Sequence, residues 1–370
     1  MKRKLFLISM LIIALLSISG YATNDVIYTS QDNQKLEDML VKYPEADANG
    51  DGILTATEAK DYREKQNKSE KKDRPDAIYP TAKLQYGQDP AQYLNFWKVN
   101  SSAKTPVIVH IHGGGFLRND PKTFLTPSAM KKLEAAEVSY VSIQYRFISE
   151  TVTLPEVLRD CARAIQYLRW NADELGIDKN AIALFGSSAG GNAAAWIAMR
   201  DDMADPENTD PVLRESTRVK AVYTIVPSKT MDLWQWPNII PDMTDDMFRE
   251  LLIEHHFNPD ADPESPELKK LRMDVDTGSY ASNDDPPIMI INDDVLSSLV
   301  HNPYNAQALY EVCKSAGIRT ELYMKELINN YSQAPEELDW LIAELTVNNN
   351  GASTSTSAAT IAPTPNTSSN

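Results

Sequence analysis

The sequence is poor in the residues that would cross-link it or attract nucleic acid. Only two cysteines occur among its 370 residues, Cys161 and Cys313, and both lie in patterns typical of amphipathic helices. We therefore expect two buried free thiols and no disulfide, so that the apolar core stabilises the fold. The formal net charge of −16 repels phosphate backbones, which argues against nucleic acid as a partner.

The sequence also lacks an apolar run long enough to be a clear membrane span. Residues 1–22 combine a basic start, the apolar stretch LFLISMLIIALLSIS and small residues before Thr23. That stretch is short for a span, which needs about 20 residues, and the pattern is that of a cleaved secretory signal. We expect an exported protein, secreted or periplasmic, without a stable span after cleavage; an uncleaved anchor is the alternative.

Composition divides the chain into four sections. Residues 1–22 form the signal, and residues 23–75 form a small polar module that ends in a charge-rich linker. Residues 76–346 alternate apolar strand patterns with helical patterns, which predicts an α/β fold with a mostly parallel sheet covered by helices on both faces. Residues 347–370 are rich in Ser and Thr and too polar to order themselves.

The boundaries of the predicted elements place one long insertion within this alternation. The predicted strands are 105–112, 138–147, 181–186, 219–227, 286–292 and 320–326, and the predicted helices are 155–176, 190–203, 303–316 and 333–346. Residues 228–283 separate two of the strands and are interpreted as a lid. In a strand, Trp234 and Trp236 would share one face of it, where aromatic rings can line a pocket.

A serine between two glycines stands where a strand meets a helix. Ser188 lies in the pentapeptide GSSAG at 186–190, after the strand pattern AIALF and before an Ala-rich helix. This context predicts a nucleophile elbow, in which a Cβ at Gly186 or Gly190 would collide with backbone. Taken alone, the pentapeptide also fits a turn without chemistry.

A second glycine motif supports the chemical interpretation. Residues 112–116, HGGGF, follow an earlier strand, at the edge where strand ends meet in a parallel sheet. Three consecutive glycines are costly in conformational entropy, and their use here is to let backbone N–H groups point into a site. The N–H groups of Gly113, Gly114 and Ala189 form the predicted oxyanion hole.

With both motifs in order, the chain resembles α/β-hydrolase esterases of the hormone-sensitive-lipase and bacterial feruloyl/acetyl-xylan-esterase type. The resemblance covers roughly residues 80–345, and its quoted stretches are 84–99, 112–116, 141–147, 154–192 and 284–292. It implies the α/β-hydrolase fold and a carboxylic-ester hydrolase that forms an acyl-enzyme on Ser188 without a cofactor. By analogy it also implies acylated carbohydrate as a substrate.

The sequence departs from the family pattern at the positions of the acid and the base of the catalytic triad. In that family a His follows the last strand, but here no His follows His301, and Asn330 stands nearest to the position. The family's acid position falls near Leu296, whereas the acidic residues, Asp293 and Asp294, stand slightly earlier.

Two hypotheses therefore stay open. In the first, the protein is an esterase in which His301, in the loop after 286–292, is the base and Asp294 or Asp293 orients it. In the second, it is a pseudo-hydrolase that has lost its base and binds a ligand or a partner. The remaining histidines are interpreted as structural or surface residues: His110, His112, His255 and His256.

The N-terminal module carries a calcium-binding pattern. Residues 47–58, DANGDGILTATE, match the EF-hand loop at every specified position. A loop that binds nothing is the alternative, and since only one loop is present, its pairing with a second copy also stays open. The predicted ligands of a structural Ca²⁺ are Asp47, Asn49, Asp51, the carbonyl of Ile53, Thr55 and bidentate Glu58.

Overall fold

A computed structural model describes residues 29–31, 34–55, 57–59, 61–62, 76–255 and 257–346. The predicted signal, nearly all of the charge-rich linker and the Ser/Thr-rich tail lie outside these residues. Within them, no helix combines the length and the apolar character that a membrane crossing requires.

One sheet forms the centre of the molecule. Its strands are β1 (Ala82–Gln85), β2 (Tyr93–Trp97), β3 (Thr105–Ile111), β4 (Ser139–Ile143), β5 (Ile177–Ser187), β6 (Ala221–Ile225), β7 (Ile288–Asn292) and β8 (Thr320–Met324). The spatial order is β1-β2-β4-β3-β5-β6-β7-β8. β2 pairs antiparallel with β1 and β4, and all the other neighbours pair parallel.

Helices follow most of the strands. They are α1 (Gln34–Lys42), α2 (Pro127–Ala136), α3 (Leu154–Trp170), α4 (Ala172–Leu175), α5 (Ala189–Met199), α6 (Asp245–Glu254), α7 (Pro266–Val275), α8 (Pro303–Ala316) and α9 (Glu337–Thr346). The expected alternation of strand and helix is present, with boundaries shifted by a few residues. The antiparallel hairpin of β1 and β2 and the helix α2 were not among the predicted elements.

The side chains of β5 show why the strand sequences are continuous apolar runs. Ile182 and Leu184 pack into a core with α3, α5 and α8, whereas Ala183 and Phe185 pack into a second core with α2 and α9. Because helices cover both faces of the sheet, both sets of alternating side chains are buried. Cys161 and Cys313 are buried and free, as expected.

The segment between β6 and β7 builds a small cluster of its own, around Leu233, Trp236 and Leu251. The expectation that Trp234 and Trp236 share one face of a strand is wrong, because Leu233–Asn238 is a 3-10 helix. The Asp232 side chain accepts the Trp234 N–H and starts this turn. Trp236 is buried and Trp234 packs edge-on against Phe257, so the two rings have different surroundings.

Candidate functional site

Ser188 stands at the sharp turn between β5 and α5. Its φ of 54° and ψ of −125° lie in a region that residues other than glycine rarely adopt. The turn is held because the Ser188 N–H donates to the Ile225 carbonyl (2.9 Å) and the Asn192 N–H donates to the Ser188 carbonyl (2.9 Å). Such strain persists only where the surroundings impose it, and it is common at active sites.

The glycines of the elbow are required by close approach, as the sequence predicted. A Cβ on Gly186 would lie 2.3 Å from the Gly190 carbonyl oxygen, and a Cβ on Gly190 would lie 2.0 Å from the Ile111 carbonyl oxygen. On the opposite side, a Cβ on Gly113 would come within 3.3 Å of the Ser188 Cβ. The loop of residues 112–116 therefore lies directly against the serine.

Two side chains fix the orientation of the glycine loop. The Tyr145 hydroxyl donates to the His112 carbonyl (2.7 Å), and His112 Nδ1 contacts the Gly113 carbonyl (2.7 Å). In a trans peptide the N–H points opposite to the C=O, so these anchors direct the N–H groups of Gly113 and Gly114 away from them. Among the described residues, neither N–H donates a hydrogen bond.

The third expected oxyanion donor, Ala189, is the first residue of α5. The first N–H groups of a helix have no partner within it, and the Ser188 side chain makes no capping bond here. The helix N-terminus also carries partial positive charge. Gly113 lies against Ser188 and Ala189 follows it directly, so the N–H groups of Gly113, Gly114 and Ala189 remain the candidates for stabilising an oxyanion.

Ser188, His301 and Asp294 come together although 113 residues separate the first two. Ser188 Oγ lies 2.8 Å from His301 Nε2, and His301 Nδ1 lies 3.0 Å from Asp294 Oδ2. A carboxylate only accepts, so Nδ1 carries the proton and the Nε2 lone pair faces the serine hydroxyl. In this arrangement His301 can take the proton of Ser188.

Asp294, rather than Asp293, is the carboxylate that contacts His301. Burial opposes the ionisation of Asp294, but hydrogen bonds from the Val295 N–H, Ser298 and His301 outweigh it and hold the pKa of the carboxyl below its usual value. Asp294 is therefore charged at neutral pH. Asp293 is exposed to solvent.

The loop after β8, where the sequence resemblance implied the base, has no histidine, and none of its described residues forms a hydrogen bond with Ser188. Asn330 there accepts the Met324 N–H (2.8 Å) and donates to the Leu322 carbonyl (3.0 Å), so it closes the loop after its strand. Leu296, at the family's acid position, is 42% exposed. Acid and base instead come from one loop, between β7 and α8.

Ser188 and His301 line a cavity of about 90 Å³. Among the described residues, none that lines it is an Asp, Glu, Lys or Arg. The elbow and the neighbouring loops contribute apolar side chains, among them Phe116, Leu117, Ile148 and Leu154. The segment between β6 and β7 contributes Met231, Leu233, Trp236, His255, Phe257 and Leu271.

His255 corrects the expectation that both histidines of the insertion are surface residues. It follows α6 at its C-terminus and lines the cavity, because the segment folds over the site. His255 Nδ1 lies 2.9 Å from the Leu251 carbonyl, which only accepts, so Nδ1 is protonated and a neutral ring leaves Nε2 as an acceptor. His256 lies outside the described residues.

The two histidines near the glycine loop have structural partners. His110 is buried and contacts the Ser142 hydroxyl (2.9 Å), and burial lowers its pKa well below the usual value. His112 stacks on Tyr145 with ring centroids 4.3 Å apart, and its Nε2 contacts Gln144 Oε1 (2.6 Å). Both therefore shape the sheet end and the loop, as the sequence suggested.

The loop of residues 47–58 has the turns expected of an EF-hand. The Asp47 carboxylate accepts from the N–H groups of Gly50 and Gly52 (both 2.8 Å), and Gly52 has a φ of 80°. Glu58 bonds the hydroxyl and the N–H of Thr55. The donor atoms are all oxygens, which fits calcium.

The carboxylates of this loop remain apart. Over the described part of the chain, no three Asp, Glu, His or Cys side chains gather closely enough to hold a metal ion. Calcium binding stays a prediction.

Leu54, at loop position 8, is already paired within its own chain. Its N–H donates to Ser30 Oγ (2.9 Å) and its carbonyl accepts the Ser30 N–H (2.8 Å). Thr29 and Thr55 form an isolated antiparallel bridge next to it. Residues 29–30 thus occupy the backbone edge that a second loop would pair with.

Comparisons with known proteins find a family and esterase relatives. The BD-FAE family model matches residues 96–301, more than half of the chain. An arylesterase of Saccharolobus solfataricus is 35% identical over 133 residues, 35% of this chain and 40% of the relative. Carboxylesterase NlhH of Mycobacterium tuberculosis is 35% identical over 103 residues, 28% of this chain and 32% of the relative. The chain thus spans less than half the length of these relatives.

Two solved structures resemble the fold. A truncated carbohydrate esterase from gut microbiota has a TM-score of 0.55 at 19% identity and covers 74% of this chain and 99% of its own. An acetyl ester-xyloside bifunctional hydrolase from Caldicellulosiruptor lactoaceticus has a TM-score of 0.52 at 19% identity. The match covers 72% of this chain and 95% of the hydrolase. At such identity the likeness concerns the fold, and the predicted α/β-hydrolase fold is confirmed.

Proposed function

Because the chain belongs to the BD-FAE family, we propose that it is a carboxylic-ester hydrolase that works through Ser188. The observation that carries the proposal is the chain of contacts from Ser188 Oγ to His301 Nε2 (2.8 Å) and from His301 Nδ1 to Asp294 (3.0 Å). It supplies a nucleophile, a base and an orienting acid in one line.

The reaction follows from the positions of these groups. His301 Nε2 takes the hydroxyl proton as Ser188 Oγ bonds to the ester carbonyl carbon, and the carbonyl oxygen becomes an anion among the N–H groups of Gly113, Gly114 and Ala189. When the bond to the alcohol breaks, the His301 proton passes to the leaving oxygen. A water molecule then gives a proton to His301 and bonds to the acyl carbon. As the bond from that carbon to Ser188 Oγ breaks, His301 returns the proton to Ser188 and the carboxylic acid leaves.

Asp294 acts through His301. Its carboxylate accepts the Nδ1 proton, keeps Nε2 free to face Ser188 and stabilises the imidazolium that forms during the attack. The lowered pKa of Asp294 keeps the carboxylate ionised while His301 carries the second proton.

The cavity supports an ester whose acyl or alcohol group is apolar and uncharged. Its wall offers no charged side chain, and taking a charge out of water without a partner is costly. Acylated carbohydrate stays a proposal; it has the support of two fold neighbours, a carbohydrate esterase and an acetyl ester-xyloside bifunctional hydrolase. In that case the acyl group occupies the cavity and the sugar stays outside.

The pseudo-hydrolase alternative depended on a missing base. The contact of His301 with Ser188 removes that reason and favours the enzyme. We further propose that the loop of residues 47–58 binds one structural Ca²⁺ and that residues 1–22 direct export. No step of the ester chemistry involves the metal.

Turnover of a simple ester tests the function. The protein should hydrolyse p-nitrophenyl acetate or p-nitrophenyl butyrate, and Ser188→Ala and His301→Ala should each lose nearly all of the rate. The exposed acid variant Asp293→Asn serves as the control that retains it. No turnover above buffer by the folded wild type, or full rates in both triad variants, would refute the proposal.

A further inference from the structure

The loop between β7 and α8, residues 293–302, carries both Asp294 and His301, and we refer to it as the acid–base loop. It begins directly after Asn292, the last residue of β7. The Asn292 side chain is fully buried (0% exposed) beneath the loop. A buried amide must find partners for both its donor and its acceptor, and those partners define what it does.

Both partners of the Asn292 carboxamide belong to the two functional residues of the loop. Its Nδ2 donates to the His301 carbonyl (3.1 Å), and its Oδ1 accepts the Asp294 N–H (3.1 Å). The assignment of the two atoms is unambiguous, because a carbonyl only accepts and an N–H only donates. One rigid, planar group thus joins the backbone of the acid to the backbone of the base.

The backbone of Asn292 is held in the sheet by its pairing with β8. Asn292 pairs with Met324 in β8, and its carbonyl accepts the Lys325 N–H (2.9 Å). The sheet therefore fixes the backbone that carries the carboxamide. Through the carboxamide, it also fixes the positions of Asp294 and His301 in the acid–base loop.

Other contacts within the acid–base loop hold it less directly. The His301 N–H donates to Ser298 Oγ (3.3 Å), and Asn302 Nδ2 donates to the Leu296 carbonyl (2.9 Å). These two bonds join loop residues to one another, and Ser298 also bonds the Asp294 carboxylate. The Leu296 N–H donates to the Glu326 carboxylate (2.5 Å) in the segment after β8, whereas Asn292 joins the loop to the sheet itself.

We propose that Asn292 is a positioning residue that sets the distance between Asp294 and His301, and through it the alignment of His301 with Ser188. The inference rests on the proposed function for its effect on rate. In this arrangement one strand-end amide joins the backbone of the acid and the backbone of the base to the sheet.

The first test is Asn292→Leu, which keeps the branched shape of the side chain and removes both hydrogen bonds. For p-nitrophenyl butyrate we expect kcat to fall about 10- to 100-fold, since a misplacement of about 1 Å can cost 100-fold. KM should change much less, because Asn292 does not line the cavity. Asn292→Asp keeps the acceptor and loses the donor, and it should also lower kcat. If the Leu variant does not fold, the kcat of Asn292→Asp tests the proposal in its place.

Gln166→Leu is the matched control. Gln166 is equally buried, and its carboxamide donates to the carbonyls of Leu213 (3.3 Å) and Glu215 (2.8 Å), none of which lines the cavity. This variant should lower the melting temperature without lowering kcat. If Asn292→Leu behaves in the same way, with kcat within two-fold of wild type, Asn292 is merely structural and the proposal is overturned.

Proton NMR separates a failure of this inference from a failure of the proposed function. The His301 Nδ1–H in its bond to Asp294 should give a low-field resonance in the wild type that is lost in His301→Ala. In Asn292→Leu and Asn292→Asp the resonance should shift or disappear, even if the wild type hydrolyses no ester. An unchanged resonance in both folded variants would overturn the inference whatever the activity.

Discussion

Ser188 Oγ and His301 Nε2 are 2.8 Å apart, and they belong to loops that follow β5 and β7, two strands separated by β6 in the sheet. The contact exists because parallel strands bring their carboxyl ends to one edge. It differs from the order that the sequence resemblance implied, in which the base follows the last strand.

Asp294→Asn should be one of the most damaging conservative changes in the protein. An amide can donate to His301 Nδ1 and so favour the ring form whose Nε2 already carries a proton, which cannot accept one from Ser188. We expect kcat to fall by roughly 10³- to 10⁴-fold, as for the loss of an orienting acid in triads generally. Asp293→Asn, one residue earlier and exposed, should leave kcat unchanged. Equal rates in the two variants would show that Asp294 does not orient the base.

Tyr145→Phe should weaken the oxyanion hole, although Tyr145 does not line the cavity. The variant loses the hydroxyl that holds the His112 carbonyl, so the Gly113 N–H is no longer fixed in direction. One donor of an oxyanion hole is worth about 10²–10³ in kcat, and since the N–H is loosened rather than removed, we expect about a 10-fold loss. The control is Tyr223→Phe, whose hydroxyl bonds the Pro335 carbonyl. A wild-type kcat in Tyr145→Phe would contradict this account of the loop.

The uncharged cavity should discriminate between esters by charge. The p-nitrophenyl monoester of succinic acid has an acyl group of similar length to butyrate but carries a carboxylate. Because no cationic side chain lines the cavity, we expect kcat/KM for this ester to be at least about 10-fold lower than for the butyrate ester. The comparison is made on the wild type at low salt and repeated at high salt, since the net charge of −16 also repels the anion. Similar values for the two esters would contradict an apolar binding site.

Calcium should stabilise the N-terminal module through the loop of residues 47–58. Excess Ca²⁺ should raise the melting temperature of its transition relative to EGTA, because an ion that binds only the folded state adds to its stability. Glu58→Gln should remove most of the difference, while Asp61→Asn, just beyond the loop, should keep it. If calorimetry gives the same melt in EGTA and in excess Ca²⁺, the loop does not bind the ion.

The parts of the site that depend on local geometry could be predicted from the sequence. Gly186 and Gly190 are needed because the elbow brings them against backbone, and that requirement appears as a short pattern of residues. The choice of His301 as the candidate base depends instead on elimination among five histidines, since no spacing rule connects Ser188 with His301. Asp293 and Asp294 could not be separated, because the direction of the chain after β7 decides which of them faces inward.

The residues that prediction missed depend on tertiary folding. His255 looked like a surface residue, and only the course of the segment over the site brings it to the cavity wall. Asn292 gave no signal, because a buried Asn at a strand end has many uses and its two partners follow it by two and nine positions. The Trp234 and Trp236 pattern gave a false signal, since an alternation of two residues does not distinguish a strand from a short 3-10 turn.

The central claim is that His301 activates Ser188, and the rate of phosphorylation of Ser188 tests it most directly. Wild type and His301→Gln are incubated with diethyl p-nitrophenyl phosphate, and the adduct is followed by intact mass and located by peptide mapping. The account predicts a single adduct on Ser188 in the wild type and a rate at least about 100-fold lower in His301→Gln, the lower end for loss of a general base. Equal rates in the two proteins, or no adduct on Ser188 in the folded wild type, would contradict it.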